Sequence, residues 1–196
     1  MTPERVQRKE SKKKINIAIA GGPCTGKSTL AAYLFATLKI QGYDYDLITE
    51  EDRKLKKEFG DFRSPFERFY MWRQQEREEL RSTAADGFIT DKPLFHYYIQ
   101  ARIYATEDRD KLAVRELFRM CLEIEDRYQL ITLQKNPFEI PYKKDQSRHV
   151  NEDEARKKHN LIKSFVEHFW PEKLCYIEGS LEDRLKQVLK RLEEIR

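Results

Sequence analysis

Ile15-Asn16-Ile17-Ala18-Ile19-Ala20-Gly21-Gly22-Pro23-Cys24-Thr25-Gly26-Lys27-Ser28 is the stretch on which the fold turns. Its first six residues are mostly apolar and rich in β-branched side chains, the pattern of a short buried strand, and Gly21-Gly22 ends it. From Lys27 a helical stripe begins, carried by Leu30, Ala31, Leu34 and Leu38, and Gly42 is a suitable stop. Residues 21–28 match G-x-x-x-x-G-K-[ST], in the strand–loop–helix setting that gives this pattern its meaning. Glycines let the backbone fold closely round an anion with several N–H groups turned inward. The helix that starts near Lys27 adds about half a positive charge at its N-terminus. Gly21, Gly22, Pro23, Cys24, Thr25, Gly26, Lys27, Ser28 and Thr29 are therefore the candidate nucleotide-binding residues. Lys27 has the reach for β- and γ-phosphates, and the Ser28 hydroxyl is placed for a Mg²⁺ ion bridging them. Cys24 is expected as a small residue that fits the loop, with an activated thiol as the alternative.

Further strands and helices alternate along the chain. Tyr43 to Thr49, residues 88–90, 128–132 and 174–177 carry strand patterns, and helical patterns fall near 64–85, 94–105, 110–126, 151–169 and 181–195. Three starts have chemical signatures: Ser64-Pro65 with Glu67, Asn151 with Glu154, and Ser180 as a cap. Alternation of this kind implies an α/β fold with a parallel sheet covered on both faces. Residues 133–151, with Pro137, Pro141 and no clear period, are expected to form a lid or binding loop within a single domain spanning 15–196.

Composition narrows the class. The chain has 196 residues, 39% hydrophobic and 12% aromatic, which suits one domain with a real core and argues against disorder. Neither a long apolar run nor an apolar leader is visible, so a cytoplasmic protein is expected. Cys24, Cys121 and Cys175 are odd in number and widely spaced, and are expected to be free buried thiols. The net charge of +4 is local: residues 1–14 hold six basic and two acidic residues, while the remaining 182 carry 32 of each. The excess belongs to a flexible basic tail at 1–14, and the body is neutral.

In open α/β sheets ligands bind beyond the carboxyl ends of the strands. Glu50 follows the second strand and Asp91 the third. One such carboxylate can hold Mg²⁺, and another can accept the proton of an attacking hydroxyl. Glu50 also begins a highly charged run, and Asp91 is placed to cap a helix, so each has a purely structural alternative. Between residues 59 and 104 lie 11 of the 23 aromatic residues. Most are expected in the core, with a few, such as Phe66 and Tyr70, lining a pocket for a flat group. Arg73 and Arg77 share a helix face, where they meet either an acceptor phosphate or Glu76 and Glu79 at the surface.

Taken together, the residues resemble the P-loop nucleoside and nucleotide kinase-like ATPases related to the ribosylnicotinamide kinase domain of NadR, an AAA-type group that is often phage-encoded. The resemblance rests on residues 19–30, on the E-x-x-R of Glu50 to Arg53, on Asp91 closing a short strand, and on Asn136-Pro137-Phe138-Glu139-Ile140-Pro141-Tyr142 with Asp145 and Arg148, followed by residues 177–184. It implies a three-layer P-loop NTPase fold with a five-stranded parallel sheet and a lid insertion, and ATP and Mg²⁺ as cofactors. It further implies Glu50 as acceptor-side base, Asp91 near Mg²⁺, Arg53 on the substrate side, Arg148 as a lid arginine and Gly179-Ser180 beside adenine. Where this group often carries Arg after the third-strand Asp, the chain has Lys92-Pro93; lysine keeps the charge but loses the bidentate fork.

The expected activity is transfer of the γ-phosphoryl group of ATP to a hydroxyl or phosphate of a nucleoside, nucleotide or related small molecule. Two alternatives stand beside it. One is a kinase acting on nucleic acid, at an end or at a modified-base hydroxyl such as a hydroxymethyl group, guided by the tail and by Lys143, Lys144 and the basic run 156–158. The other is a nucleotide-binding switch that transfers nothing.

Overall fold

The structure is a computed structural model that describes residues 14–49, 64–137, 139 and 151–196. Most of the basic tail, Glu50, Arg53, Lys143, Lys144, Arg148 and most of the expected lid lie outside those residues. Five parallel strands form one sheet: β1 (Ile17–Ala20), β2 (Tyr45–Ile48), β3 (Gly87–Thr90), β4 (Leu130–Gln134) and β5 (Leu174–Ile177), in the order β2-β3-β1-β4-β5. The strand leading into the glycine loop is thus central. Thr90 of β3 lies beside Ala18, and Leu133 of β4 lies beside Ala20.

Among the described residues six helices cover the sheet: α1 (Lys27–Ile40), α2 (Glu67–Arg81), α3 (Phe95–Tyr104), α4 (Asp110–Glu123), α5 (Glu152–Phe169) and α6 (Leu181–Ile195). Side chains alternate across each strand, so β1 feeds two cores. Ile17 and Ile19 pack with Leu30, Leu34 and Leu38 of α1 and Leu185, Val188 and Leu192 of α6. Ala18 and Ala20 face the other way, toward Met71 and Trp72 of α2, Phe95 of α3, Leu117 of α4 and Phe165 of α5. Alanine there leaves room for large rings: Phe95 stacks on Phe165 at 5.7 Å and meets the Trp170 ring edge-on at 5.4 Å. Trp72, Phe88, Phe95, Tyr97 and Tyr98 are buried, so much of the aromatic stretch is core, whereas Phe66 and Tyr70 are exposed.

The capping chemistry is realised at two of the three expected starts. Asn151 accepts the Glu154 N–H at 2.9 Å, and Ser180 with Asp183 forms a reciprocal capping box. At the third, α2 begins at Glu67 without a side-chain cap, because Ser64 and Pro65 stay in the turn before it; the Ser64 N–H still meets the Glu67 carboxylate at 2.8 Å. Two boundaries depart from the sequence pattern. Helix α2 stops at Arg81 rather than near residue 85, because Ser82 turns extended and its hydroxyl donates to Asp46 at 2.7 Å. Strand β4 begins at Leu130 rather than at 128, because the Tyr128 hydroxyl donates to Glu79 at 2.8 Å and accepts the Leu94 N–H at 2.9 Å. Among the thiols, all free, only Cys121 is buried; Cys24 and Cys175 are partly exposed, against expectation. No helix among the described residues is long and apolar enough to cross a membrane.

Candidate active site

The site grows out of the C-terminal end of β1. Its loop needs two left-handed residues, one on each side of Thr25: Cys24 at φ 61° and Gly26 at φ 73°. Glycine takes that conformation at no steric cost, while cysteine carries some backbone strain there. Gly22 answers a different demand. A Cβ on it would lie 2.6 Å from the Ala155 carbonyl oxygen of α5, so only glycine lets that helix dock on the loop. Thr25 donates its hydroxyl to the Gly22 carbonyl at 2.9 Å, and Lys27 Nζ donates to the same oxygen at 2.6 Å. Lys27 is thereby folded over its own loop. The first helical bond joins Leu30 N–H to Gly26 C=O at 3.0 Å, so the amides just before it stand at the positive end of α1.

Asp91 comes next to this loop by sheet register. With Thr90 beside Ala18, Asp91 leaves β3 one strand away from the glycine turn, and it is buried. The turn after β3 is held from α2. The Thr90 hydroxyl accepts Gln75 Nε2 at 3.2 Å and the Lys92 N–H at 3.2 Å. Lys92 is buried over the Tyr97 ring, 5.3 Å from its centroid. Ser28 and Asp91 offer a hydroxyl and a carboxylate, hard oxygen donors of the type Mg²⁺ takes together with phosphate oxygens. Among the described residues no group of three or more His, Cys, Asp or Glu forms a metal cage.

Several charged or polar residues of this region carry no apolar signature in the sequence. Arg68 and Lys158 are buried and both sit against Tyr104, at 5.1 and 5.2 Å from the ring centroid, and Lys158 Nζ donates to its hydroxyl at 3.1 Å. Glu79 lies under the same face of the sheet, where burial outweighs the Tyr128 hydrogen bond and the Arg127 charge and pushes its carboxyl up to about 8. His96 and His159 are buried beside the loop. One signal was available: Arg68, Met71, Trp72, Gln75 and Glu79 share helical spacing and are the buried face of α2.

The remaining candidates take separate places. Arg73 and Arg77 lie on the exposed side of α2, and Arg73 pairs with Glu76 at 2.6 Å. Gly179 and Ser180 form the turn between β5 and α6, where Gly179 N–H donates to Glu139 at 2.8 Å and Arg184 Nε donates to the Gly179 carbonyl at 2.8 Å.

This chemistry can be set beside known proteins. The family model described as AAA domain matches residues 16–184. The chain belongs to that family. Solved structures of similar fold agree with this AAA domain assignment in architecture. A NadR protein in complex with NR is 16% identical with a TM-score of 0.69, over 93% of this chain and 50% of that one. A NadR protein in complex with NAD and AMP-PNP is 18% identical with a TM-score of 0.70, over 93% and 49%. The chain therefore spans about half the length of those NadR chains. The deoxyadenosine kinase of M. mycoides, with products dCMP and dCDP bound, is 12% identical with a TM-score of 0.62, over 93% of this chain and all of that one. No curated protein matches the sequence. The three-layer α/β fold expected from the sequence is the fold found.

Proposed function

We propose that this AAA domain protein is an ATP-dependent kinase that transfers the γ-phosphoryl group to a nucleoside, a nucleotide or a related small acceptor. The observation that carries this reading is the junction of the β1 loop with the β3 exit. An anion-ready helix start and a buried carboxylate leave adjacent strands at the same edge of the sheet. Phosphoryl transfer needs positioning and charge neutralisation more than covalent chemistry from the protein. The amides of residues 24–29 bind the phosphates, and Lys27 leaves the Gly22 carbonyl to pair with them. Ser28 and Asp91 would hold Mg²⁺, which when bound would supply neutralisation of phosphate charge. Glu50 takes the proton of the acceptor hydroxyl, with Arg53 on the substrate side and Arg148 closing from the lid. Gly179 and Ser180 flank the adenine. The fold shared with NadR and with a deoxyadenosine kinase favours a small acceptor over nucleic acid.

The test is one screen. Purified protein with [γ-³²P]ATP and Mg²⁺ is offered nucleosides, nucleoside monophosphates and DNA bearing modified bases in parallel. Labelled nucleoside or nucleotide product, absent with Lys27→Ala, is the expected result. Labelled DNA alone would move the acceptor to nucleic acid, and nucleotide binding without any transfer would leave a switch.

A further inference from the structure

Each backbone N–H of the loop must have a destination, and two of them go to imidazoles. Gly22 N–H donates to Nδ1 of His159 on α5 at 3.3 Å, and Gly21 N–H donates to Nε2 of His96 on α3 in a longer contact of 3.5 Å. Pro23 has no N–H. The first three residues of the loop thus turn no N–H toward an anion, and that work falls to the residues that follow. The tautomer of His159 follows from its donor: a ring nitrogen that receives an N–H carries no proton, so the ring hydrogen sits on Nε2. That nitrogen is buried and closes no well-formed hydrogen bond. His159 is fully buried, and its backbone and Cβ are what a side chain on Gly22 would strike, at 3.2 and 3.0 Å.

We propose that His159 is a positioning residue for the nucleotide, its Nδ1 holding the Gly22 N–H so that the later amides of the loop converge on the phosphates, with His96 performing the same office more weakly at Gly21. The inference rests on the kinase reading above and adds the residue that shapes its phosphate site. Burial and the nearby Lys27 ammonium hold the His159 ring at about 4, so it is neutral and able to accept at physiological pH. Its role is mechanical. It touches no phosphate itself, but it fixes the turn that does.

Side-chain geometry supplies the test. The amide of asparagine can put an oxygen where Nδ1 stands, while that of glutamine reaches the place of Nε2. His159→Asn, His159→Gln and His159→Leu are compared with wild type for binding of a fluorescent N-methylanthraniloyl-ATP, for KM of ATP and kcat, and for thermal melting without nucleotide. His159→Asn is expected to bind within about threefold of wild type. His159→Gln and His159→Leu are expected to bind about tenfold more weakly with a matching rise in KM, the scale of one hydrogen bond. The Asn and Gln variants are both polar, so their contrast stands even where Leu fails to fold. Equal affinities for the Asn and Gln variants, or wild-type affinity in all three, would overturn the role of Nδ1. A wild-type protein that binds no ATP analogue would instead overturn the kinase reading beneath it.

Discussion

The two faces of the sheet are built from different materials. The face covered by α1 and α6 is filled with Ile17, Ile19, Leu30, Leu34, Leu38, Val188 and Leu192. The face covered by α2, α3, α4 and α5 is filled with rings, and in and around it Arg68, Gln75, Glu79, His96, Lys158 and His159 are buried. An aliphatic layer has no orientation to satisfy beyond shape, and tolerates exchange that conserves volume. A layer with buried polar groups has to satisfy each of them, and three, Gln75, His96 and His159, do so at the strand ends where the loop and Asp91 emerge. The first face supports the loop; the second shapes what stands around it.

That contrast can be broken in order of effect. Lys27→Ala lies on the loop between the faces. It should lower phosphoryl transfer by about 10³-fold, the upper range for removing one electrostatic stabiliser. Melting should barely move, because the Gly22 carbonyl still accepts the Thr25 hydroxyl. Leu34→Ala, in the aliphatic face, should do the reverse. It should cost about 3 kcal/mol in denaturant unfolding through lost burial and the cavity left behind, with kcat close to wild type in the folded fraction. A large fall in kcat there would mean that the aliphatic face is not merely support.

The polar face should reveal itself through pH. Glu79 is raised from 4.5 to about 8 on folding, so its contribution is complete below pH 4.5 and is lost as pH rises toward 8. His159 is lowered from 6.5 to about 4 by burial and by the charges of Lys27, Lys163 and Arg156, so stability falls as pH drops from 6.5 toward 4. Each acts with a slope of at most about 1.4 kcal/mol per pH unit. Between pH 4.5 and 6.5 the two slopes oppose each other, and the wild-type stability curve should be flatter than either alone. Glu79→Gln keeps the shape of the protonated acid and should remove the decline toward pH 8. A decline that persists in Glu79→Gln would assign it to another group. The smallest effects belong outside both cores. Phe66→Ala and Tyr70→Ala, at exposed rings, should change stability by less than about 0.5 kcal/mol. A rise in acceptor KM in either variant would place that ring against the substrate.

What was legible in the sequence was local. The strand–loop–helix of residues 15–40, the caps at Asn151 and Ser180, and the alternation behind the parallel sheet all depend on neighbours within a few positions. The boundaries that shifted did so through distant partners: Ser82 is drawn off by Asp46, and Tyr128 by Glu79 and Leu94. The polar residues of the second face were hidden for the same reason. Arg68, Gln75 and Glu79 look by residue type like solvent-facing positions of a charged helix; their helical spacing with Met71 and Trp72 is the one local sign of a shared face, and the packing of α2 shows that this face is buried.

The sequence by itself determined that a phosphate-cradling loop sits between a buried strand and a helix in a parallel α/β sheet, because glycine placement and residue periodicity act over a few bonds. Only the tertiary structure decided which strand stands beside it and which histidines take its first two amides. Those contacts join residues 75 and 137 positions apart, where no local pattern carries the information.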